Sequence, residues 1–569
     1  MPDPNDSPNA NPNPDPGPGS ARNPASDTGS RGGSPPKPRG SHIFQAPTGT
    51  RDLYPEDVAR RRYLTNAWRD VSIRHGFEEI EGPTFEHLDL YTVKSGEGIV
   101  SELFSFRRTG GEKDYALRPE FTPTLARMYA ARAGSLQRPT KWFTAGPYFR
   151  AERPQRGRLR EFLQWNVDIM GLPGDVAADS DEAAVLKAEM DADCIGCLVG
   201  LIQHLGFDPD AVKACINDRQ LTEGVLYKSF VKAKFESGLE QAFALLDKRA
   251  KISPDEFARQ AEQIGLIAPA FDDLTRKTIN SLNLAKLGSP GVIAYYGDKT
   301  ADEEQAMFDA TPTAGLARLF RDPQMMAISK WTDISPDVVR GLAYYTGTVF
   351  EVIADGERAV AGGGRYDNLI ELFGGPPTPA VGFGMGDVVL SLLLQNHNLM
   401  PEGPELLDAI SRPPASVRPE VFVINAGNRE DAHKYEPLIT PLLAGLRRGI
   451  ESEAWKSRND RKPWHPDRYA TGDSKNGLTG VRPLHARKSY KSTQNLKKLL
   501  ADANRQHARF AALIHEPNEV ELRDLDRVFG DQGRLVPKDV PGMPADEAFF
   551  HISPDSPVYV GGAVAALLP

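Results

Sequence analysis

The sequence predicts an α+β protein: an antiparallel sheet flanked by helices, carrying a helical insertion and followed by a smaller α/β unit. Three observations lead there. Apolar residues recur with a helical period in one early segment, aromatic and β-branched segments follow one another as strand–loop–strand pairs, and strand–helix alternation begins only after a proline-rich break.

Taken in order, residues 1–43 form a tail with no Leu, Val or aromatic residue. Its first 40 positions hold 11 Pro and 6 Gly among Asn, Asp and Ser. Such a segment buries too little apolar area to offset chain entropy and is expected to be disordered. Arg51 to Gly76 reads as a helix through the stripe Val58, Tyr63, Leu64, Trp68, Val71 and Ile73. The segment FEEIEGPTFEHLDLY alternates, with Pro83 marking an edge strand or strand end. Two strand pairs are expected in LFSFRRTGGEKDYALRPE and in TKWFTAGPYFRAERPQRGRLREFLQWNVDIMG. Asp181 to Leu205 is a helix, residues 222–325 are mostly helical, and 341–390 returns to strand, loop and helix. The domain from 44 to 400 ends at a Pro-rich linker, 401–417. In 418–533, VFVINAG and FAALIHE are buried-type strands beside helices at 431–448 and 491–507. The polar stretch 456–479 reads as a flexible insert, and 534–569 is left unassigned.

Composition excludes several classes. The chain has 569 residues, 40% hydrophobic and 25% charged, enough for several cores. Three Cys rule out a disulfide framework and favour a reducing compartment. No stretch approaches the roughly 18 apolar residues of a membrane span, and no apolar run follows Met1 as a secretory signal requires. A soluble, cytoplasmic protein is expected. Residues 447–509 carry 16 Lys/Arg against 6 Asp/Glu, a basic block in a chain of net charge −9. Such a block suits either a polyanion or a solvated face.

Chemistry concentrates elsewhere. Arg150, Arg153, Arg156, Arg158 and Arg160 crowd into eleven positions between two strands, where their mutual repulsion favours an anion. Gln164 and Asp168 share one strand face, able to receive a small cationic ligand, and Glu120 and Thr122 supply a second polar pair. Arg340 precedes Tyr344 and Tyr345, while AGGGRYDNL supplies three glycines, Arg365 and Tyr366; the glycines admit close backbone approach to a ligand. Cys194 and Cys197 share an apolar helix face and read as core residues, and no metal cluster is expected. The run Gly382-x-Gly384-x-Gly386 lacks the context of a dinucleotide loop.

These residues resemble histidyl-tRNA synthetases, which are class II aminoacyl-tRNA synthetases. GTRDLYPEDVARRRYL and FEEIEGPTFEHLDLY resemble the family's opening and motif 1, FRAERPQRGRLREFLQWNVDIMG resembles motif 2, and the pair RGLAYYTGTVFE and AGGGRYDNL resembles the two histidine-specific stretches. The resemblance implies a class II catalytic domain, an anticodon-binding α/β domain whose basic block meets tRNA, and a homodimer through motif 1. It implies ATP-dependent ligation of L-histidine to tRNA(His) with Mg²⁺, through a histidyl-adenylate. Arg150 and Arg340 would be catalytic, at the α-phosphate. Glu120, Thr122, Arg150, Gln164, Asp168, Arg340, Tyr344, Tyr345 and Tyr366 would hold histidine, with Asp168 and Tyr345 on the imidazole. Arg150, Glu152, Arg158 and Arg365 would hold ATP, and Arg153 and Gln155 would meet the tRNA acceptor end. Two positions depart from the pattern: Val389 stands where motif 3 carries an arginine, leaving Arg365 or Arg127 to grip the γ-phosphate, and Ala343 replaces an acidic residue. A histidine-sensing regulatory subunit of ATP phosphoribosyltransferase, or a nucleic-acid-binding scaffold, is the alternative.

Overall fold

The structure is a computed structural model. It describes residues 45–569 except 93–101, 175, 178–179, 250–251, 287–313, 341–343, 355–358, 428–431, 471–472, 475–476, 479, 492, 528–532, 554, 557 and 569. The expected tail, Ala343 and the middle of the helical insertion lie outside the described residues.

Helix α1 (Pro55–Arg74) opens with proline in its first turn beside Glu56 and Asp57, favourable at a helix N-terminus. The edge strand β1 (Glu78–Glu79) follows. Next come β2 (Phe85–His87), β3 (Ser105–Arg107) and β4 (Asp114–Leu117), a small antiparallel sheet in the order β2-β4-β3. Helix α2 (Thr122–Ala130) leads to the long hairpin β5 (Thr140–Phe149) and β6 (Glu161–Met170), and α3 (Asp181–His204) follows. Ser180 caps α3 by accepting from the Ala183 N–H at 3.1 Å. The insertion contributes α4 (Arg219–Ser229), α5 (Phe235–Asp247), α6 (Pro254–Ile264), α7 (Ala268–Lys286) and α8 (Ala314–Arg321), after β7 (Val212–Asp218). Then come β8 (Thr332–Ile334), β9 (Thr348–Ala354), β10 (Ala361–Arg365), β11 (Ala380–Gly386), α9 (Asp387–Asn396) and α10 (Gly403–Ile410).

The main sheet runs β1-β5-β6-β11-β10-β9-β7-β8. Its interior pairs are antiparallel, and only the edge pairs β1–β5 and β7–β8 are parallel. Strand alternation assigns the two faces. Trp165, Val167 and Ile169 of β6 point into the core shared with α1 and α3, where Trp165 stacks on Trp68 and its indole N–H donates to Ser72 at 2.9 Å. Gln164, Asn166 and Asp168 take the opposite face. Cys194 and Cys197 are fully buried in the α1–α3 core, as their spacing suggested.

Beyond the linker, β12 (Val421–Asn425), α11 (Ala432–Arg448), the short ribbon β13 (Asp473–Ser474) and β14 (Gly477–Leu478), β15 (Ala486–Lys488), α12 (Leu496–Arg505), β16 (Phe510–Glu516), β17 (Glu519–Asp524), β18 (Arg534–Leu535) and α13 (Val560–Leu567) follow. They build a mixed sheet, β15-β12-β16-β17-β18, parallel on both sides of β12. The unassigned terminal segment supplies β18 and α13, whose Tyr559, Val560 and Val564 complete this core.

The described part of 456–479 corrects the flexible-insert expectation. Trp464 is buried against Glu405 of α10, and Arg468 donates to the carbonyls of His204 and Gln203 at 2.8 and 3.2 Å, capping α3. A cation at a helix C-terminus satisfies orphan carbonyls and suits the dipole, so the insert joins the two halves. Part of the basic block is likewise internally paired. Arg447 meets Asp193 at 3.2 Å, Lys488 meets Glu189 at 3.5 Å, and Arg487 meets Glu78 at 3.5 Å. Lys141 also holds Asp193, at 2.6 Å. Burial pushes the Asp193 carboxyl up, but these two cations outweigh it and hold it below the usual range.

Candidate functional site

On the front face of the main sheet, the glycines of β10 and β11 make a floor without side chains. A Cβ at Gly382 would stand 1.9 Å from Asp168 Oδ1, and one at Gly384 would stand 2.7 Å from Gln164 Nε2. Likewise a Cβ at Gly364 would meet Tyr345 at 2.8 Å, and one at Gly362 would strike the Arg340 guanidinium at 2.4 Å. The glycines thus admit the protein's own polar side chains, where a ligand was expected to approach the backbone directly.

Asp168 is buried, and burial pushes its carboxyl up to about 7, while a hydrogen bond donated by Tyr366 at 2.6 Å pulls it back. Tyr366, not Tyr345, is therefore the phenol against Asp168. Tyr345 lies instead against Arg340, its ring centroid 5.0 Å from that of Tyr344. Tyr344 donates to Glu120 at 3.0 Å and also lies against Thr122. Glu120 is raised by burial, with Arg150 and Arg340 pulling it back toward the ionised form. Opposite-charged neighbours of this kind keep a buried carboxylate available to a cation.

Arg150 donates from Nε to the Pro119 carbonyl at 3.1 Å and lies 5.4 Å over the Phe162 ring, near enough for its charge to act on Glu120. Arg340 pairs with Glu351, sits in the left-handed region at φ 54°, and has a buried Nε with no hydrogen-bond partner among the described residues. A left-handed backbone and an incompletely bonded guanidinium each cost free energy.

The Arg-rich loop is a tight turn closed by reciprocal backbone bonds between Gln155 and Arg158. Arg158 pairs with Glu152 at 2.8 Å, and Arg153, Gln155, Arg156 and Arg158 face solvent. The glycine floor thus lies beneath Arg340, the Asp168–Tyr366 pair and the Gln164 amide. The histidyl-tRNA synthetase family profile matches residues 49–206 and 254–386. The chain belongs to the histidyl-tRNA synthetase family. The histidine--tRNA ligase of Opitutus terrae is 38% identical over 367 residues, 63% of this chain and 76% of that one. That of Haloarcula marismortui is 35% identical over 415 residues, 72% of this chain and 87% of that one. A solved apo histidyl-tRNA synthetase of S. aureus aligns with 87% of this chain and 97% of its own at 20% identity, with TM-score 0.40.

In this histidyl-tRNA synthetase family chain, two expected ATP contacts are corrected. Arg365 points to the back of the sheet, because its place on β10 alternates with Gly362 and Gly364. There it is buried against Asp191 at 2.6 Å, Asp367 at 2.9 Å and the Lys187 carbonyl at 2.7 Å, with no access to the front. Arg127 is held by both of its bonds to Glu86, at 3.2 and 2.6 Å. Val389, in the motif 3 arginine slot, instead reaches the tip of the motif 2 turn: its Cγ2 lies 3.3 Å from a Cβ built at Gly157. The sequence reading missed three groups that shape the site. Glu351 partners Arg340. Arg118, two residues before Glu120, is buried, donates to the carbonyls of Pro147 and Gly82 at 2.8 and 3.0 Å, and lies 4.7 Å over Tyr148. Asn166 lies between Gln164 and Asp168 on one strand face, so period-two alternation alone would have found it.

Proposed function

We propose that the chain ligates L-histidine to tRNA(His), activating the amino acid with ATP in the pocket on the front of the main sheet. The observation that carries this reading is the juxtaposition of the Asp168–Tyr366 pair with the Glu120–Tyr344 pair beneath Arg340 and Arg150. Glu120, Thr122 and Gln164 receive the α-ammonium. Asp168 accepts from an imidazole N–H, while Tyr344, Tyr345 and Tyr366 wall the ring. A site built of buried acceptors rejects analogues that leave those acceptors unpaired.

The histidine carboxylate attacks the α-phosphorus of ATP and pyrophosphate leaves. A terminal ribose hydroxyl of tRNA then attacks the activated carbonyl, releasing AMP and a proton. Negative charge on the α-phosphoryl oxygens rises in the first transition state, where the fixed forks of Arg150 and Arg340 stabilise it without reorganisation. Glu152 and Arg158 hold ATP, which arrives with Mg²⁺ as part of the substrate. Arg153 and Gln155, exposed on the turn, meet the acceptor end. The ring cluster of exposed Phe85 and Phe106 with half-buried Tyr115, centroids 5.7–5.8 Å apart on the small sheet, supports the expected homodimer. No helix among the described residues is long and apolar enough to cross a membrane.

The test is histidine-dependent ATP–pyrophosphate exchange by the purified protein, followed by charging of tRNA(His). Exchange with histidine and not with other amino acids is expected. Histidine binding without exchange at saturating MgATP would overturn the ligase reading; the relatives, named histidine--tRNA ligases, do not favour the regulatory-subunit alternative.

A further inference from the structure

Between the two residues read as histidine contacts on β6, Asn166 is 4% exposed and faces the same side of the sheet. Its Oδ1 accepts a hydrogen bond from Gln164 Nε2 at 2.8 Å. That bond uses the amide nitrogen of Gln164 and so fixes which end of the amide the cavity meets. An unrestrained glutamine amide turns about its last torsion and presents donor or acceptor with nearly equal ease. With Nε2 engaged along the strand, Oε1 is the end left for a ligand. An ammonium group needs that acceptor, and a flipped amide would offer it N–H groups instead.

Two neighbours hold the pair in place. In register, Asn166 lies opposite Gly384 on one side and Thr144 on the other. A Cβ at Gly384 would stand 2.7 Å from Gln164 Nε2 and 3.5 Å from Asn166 Nδ2, so both amides rest on bare β11 backbone. The pair is also neutral. It selects a cation by orientation and adds no third carboxylate to Glu120 and Asp168.

We propose that Asn166 is a positioning residue for amino-acid recognition: it holds the Gln164 amide with its carbonyl oxygen toward the α-ammonium of the substrate. This deepens the reading of the site as a histidine pocket and rests on it. Asn166→Leu keeps the size and removes the acceptor, whereas Asn166→Asp keeps both.

The experiment measures exchange kinetics and competitive inhibition by 3-(imidazol-4-yl)propanoate, histidine without its amino group. For Asn166→Leu the expected result is a KM for histidine raised about tenfold, the size of one charge-assisted hydrogen bond. The KM for ATP and the inhibition constant of the deamino analogue stay within twofold. Asn166→Asp returns the histidine KM to within about threefold of the unsubstituted protein. Asn166→Ser, which shortens the side chain without adding apolar bulk, repeats the Leu pattern should the Leu protein fail to fold. An equal loss of histidine and deamino-analogue affinity, or an unchanged histidine KM in both the Leu and Ser variants, overturns the proposal. Absence of histidine-dependent exchange in the unsubstituted protein overturns the histidine-pocket reading itself, which separates the two failures.

Discussion

Arg340 and Arg365 both border β10, yet they inhabit opposite faces of one sheet and differ in how far their hydrogen bonds are met. On the back, Arg365 is gripped by Asp191, Asp367 and the Lys187 carbonyl, within a core that excludes water. On the front, Arg340 has Glu351 and Tyr345 for company, a left-handed backbone and an Nε with no partner among the described residues. Both are largely withdrawn from solvent, Arg365 with 6% of its side chain exposed and Arg340 with 22%, so exposure distinguishes them only by degree. What separates them most clearly is hydrogen-bonding capacity that, among the described residues, is left unmet at the Arg340 Nε.

That contrast can be broken from either face. Arg340→Ala is expected to lower histidine-dependent exchange about a thousandfold, the scale of losing one preorganised transition-state donor. Its thermal midpoint should stay within a few degrees; normal exchange in that variant would remove Arg340 from the chemistry. On the other face, Arg365→Met leaves Asp191 buried without its partner. It should destabilise the protein by about 3–5 kcal/mol, read as a shifted denaturant midpoint, while exchange at low temperature survives in the folded fraction. A smaller effect is expected for Gly362→Ala, because the new methyl meets only the movable end of Arg340. Exchange should fall by roughly tenfold or somewhat more with little change in stability, whereas Gly382→Ala, which presses on the Val167 carbonyl at 2.8 Å as well as on Asp168, should also lose stability.

The subtlest test uses pH. Asp168 is held near 7 and is protonated below that, so it loses its role as acceptor as the pH falls through that value. The kcat/KM for histidine should therefore drop on the acid side of neutrality. Tyr366 donates to the ionised carboxylate and favours it. Tyr366→Phe removes that donor, raises the Asp168 pKa further, and should move the acid limb to higher pH by a fraction of a unit to one unit. An unmoved limb would assign the titration to the substrate imidazole alone.

Much of this architecture was readable in the chain. The 3.6-residue stripe through Trp68 and the alternation of TKWFTAGPYF and EFLQWNVDIM identify a helix and a hairpin because burial on one side imposes those periods. Gln164 and Asp168 were placed on one face for the same reason. The same logic failed for Arg365, since nothing local says which face of β10 turns toward the substrate. It failed for the 456–479 stretch as well, because its polar composition hides the partners that order it. Trp464 bonds Glu405 of α10, and Arg468 bonds carbonyls at the end of α3, more than 250 positions away. The basic block lost part of its apparent surface charge in the same way, to Asp193, Glu189 and Glu78 on the other half of the molecule.

Periodicity and residue chemistry, then, were enough to determine the element types, the α+β class, the arginine-rich loop between two strands and the shared strand face of Gln164 and Asp168, since each depends on neighbours close along the chain. Which glycine lies beneath which side chain, which phenol meets Asp168 and which arginine is left unsatisfied were decided only when distant strands came into register. Hydrogen-bond satisfaction is a property of the whole packed sheet: it gives Arg365 its partners in the core and, among the described residues, leaves the Arg340 Nε without one.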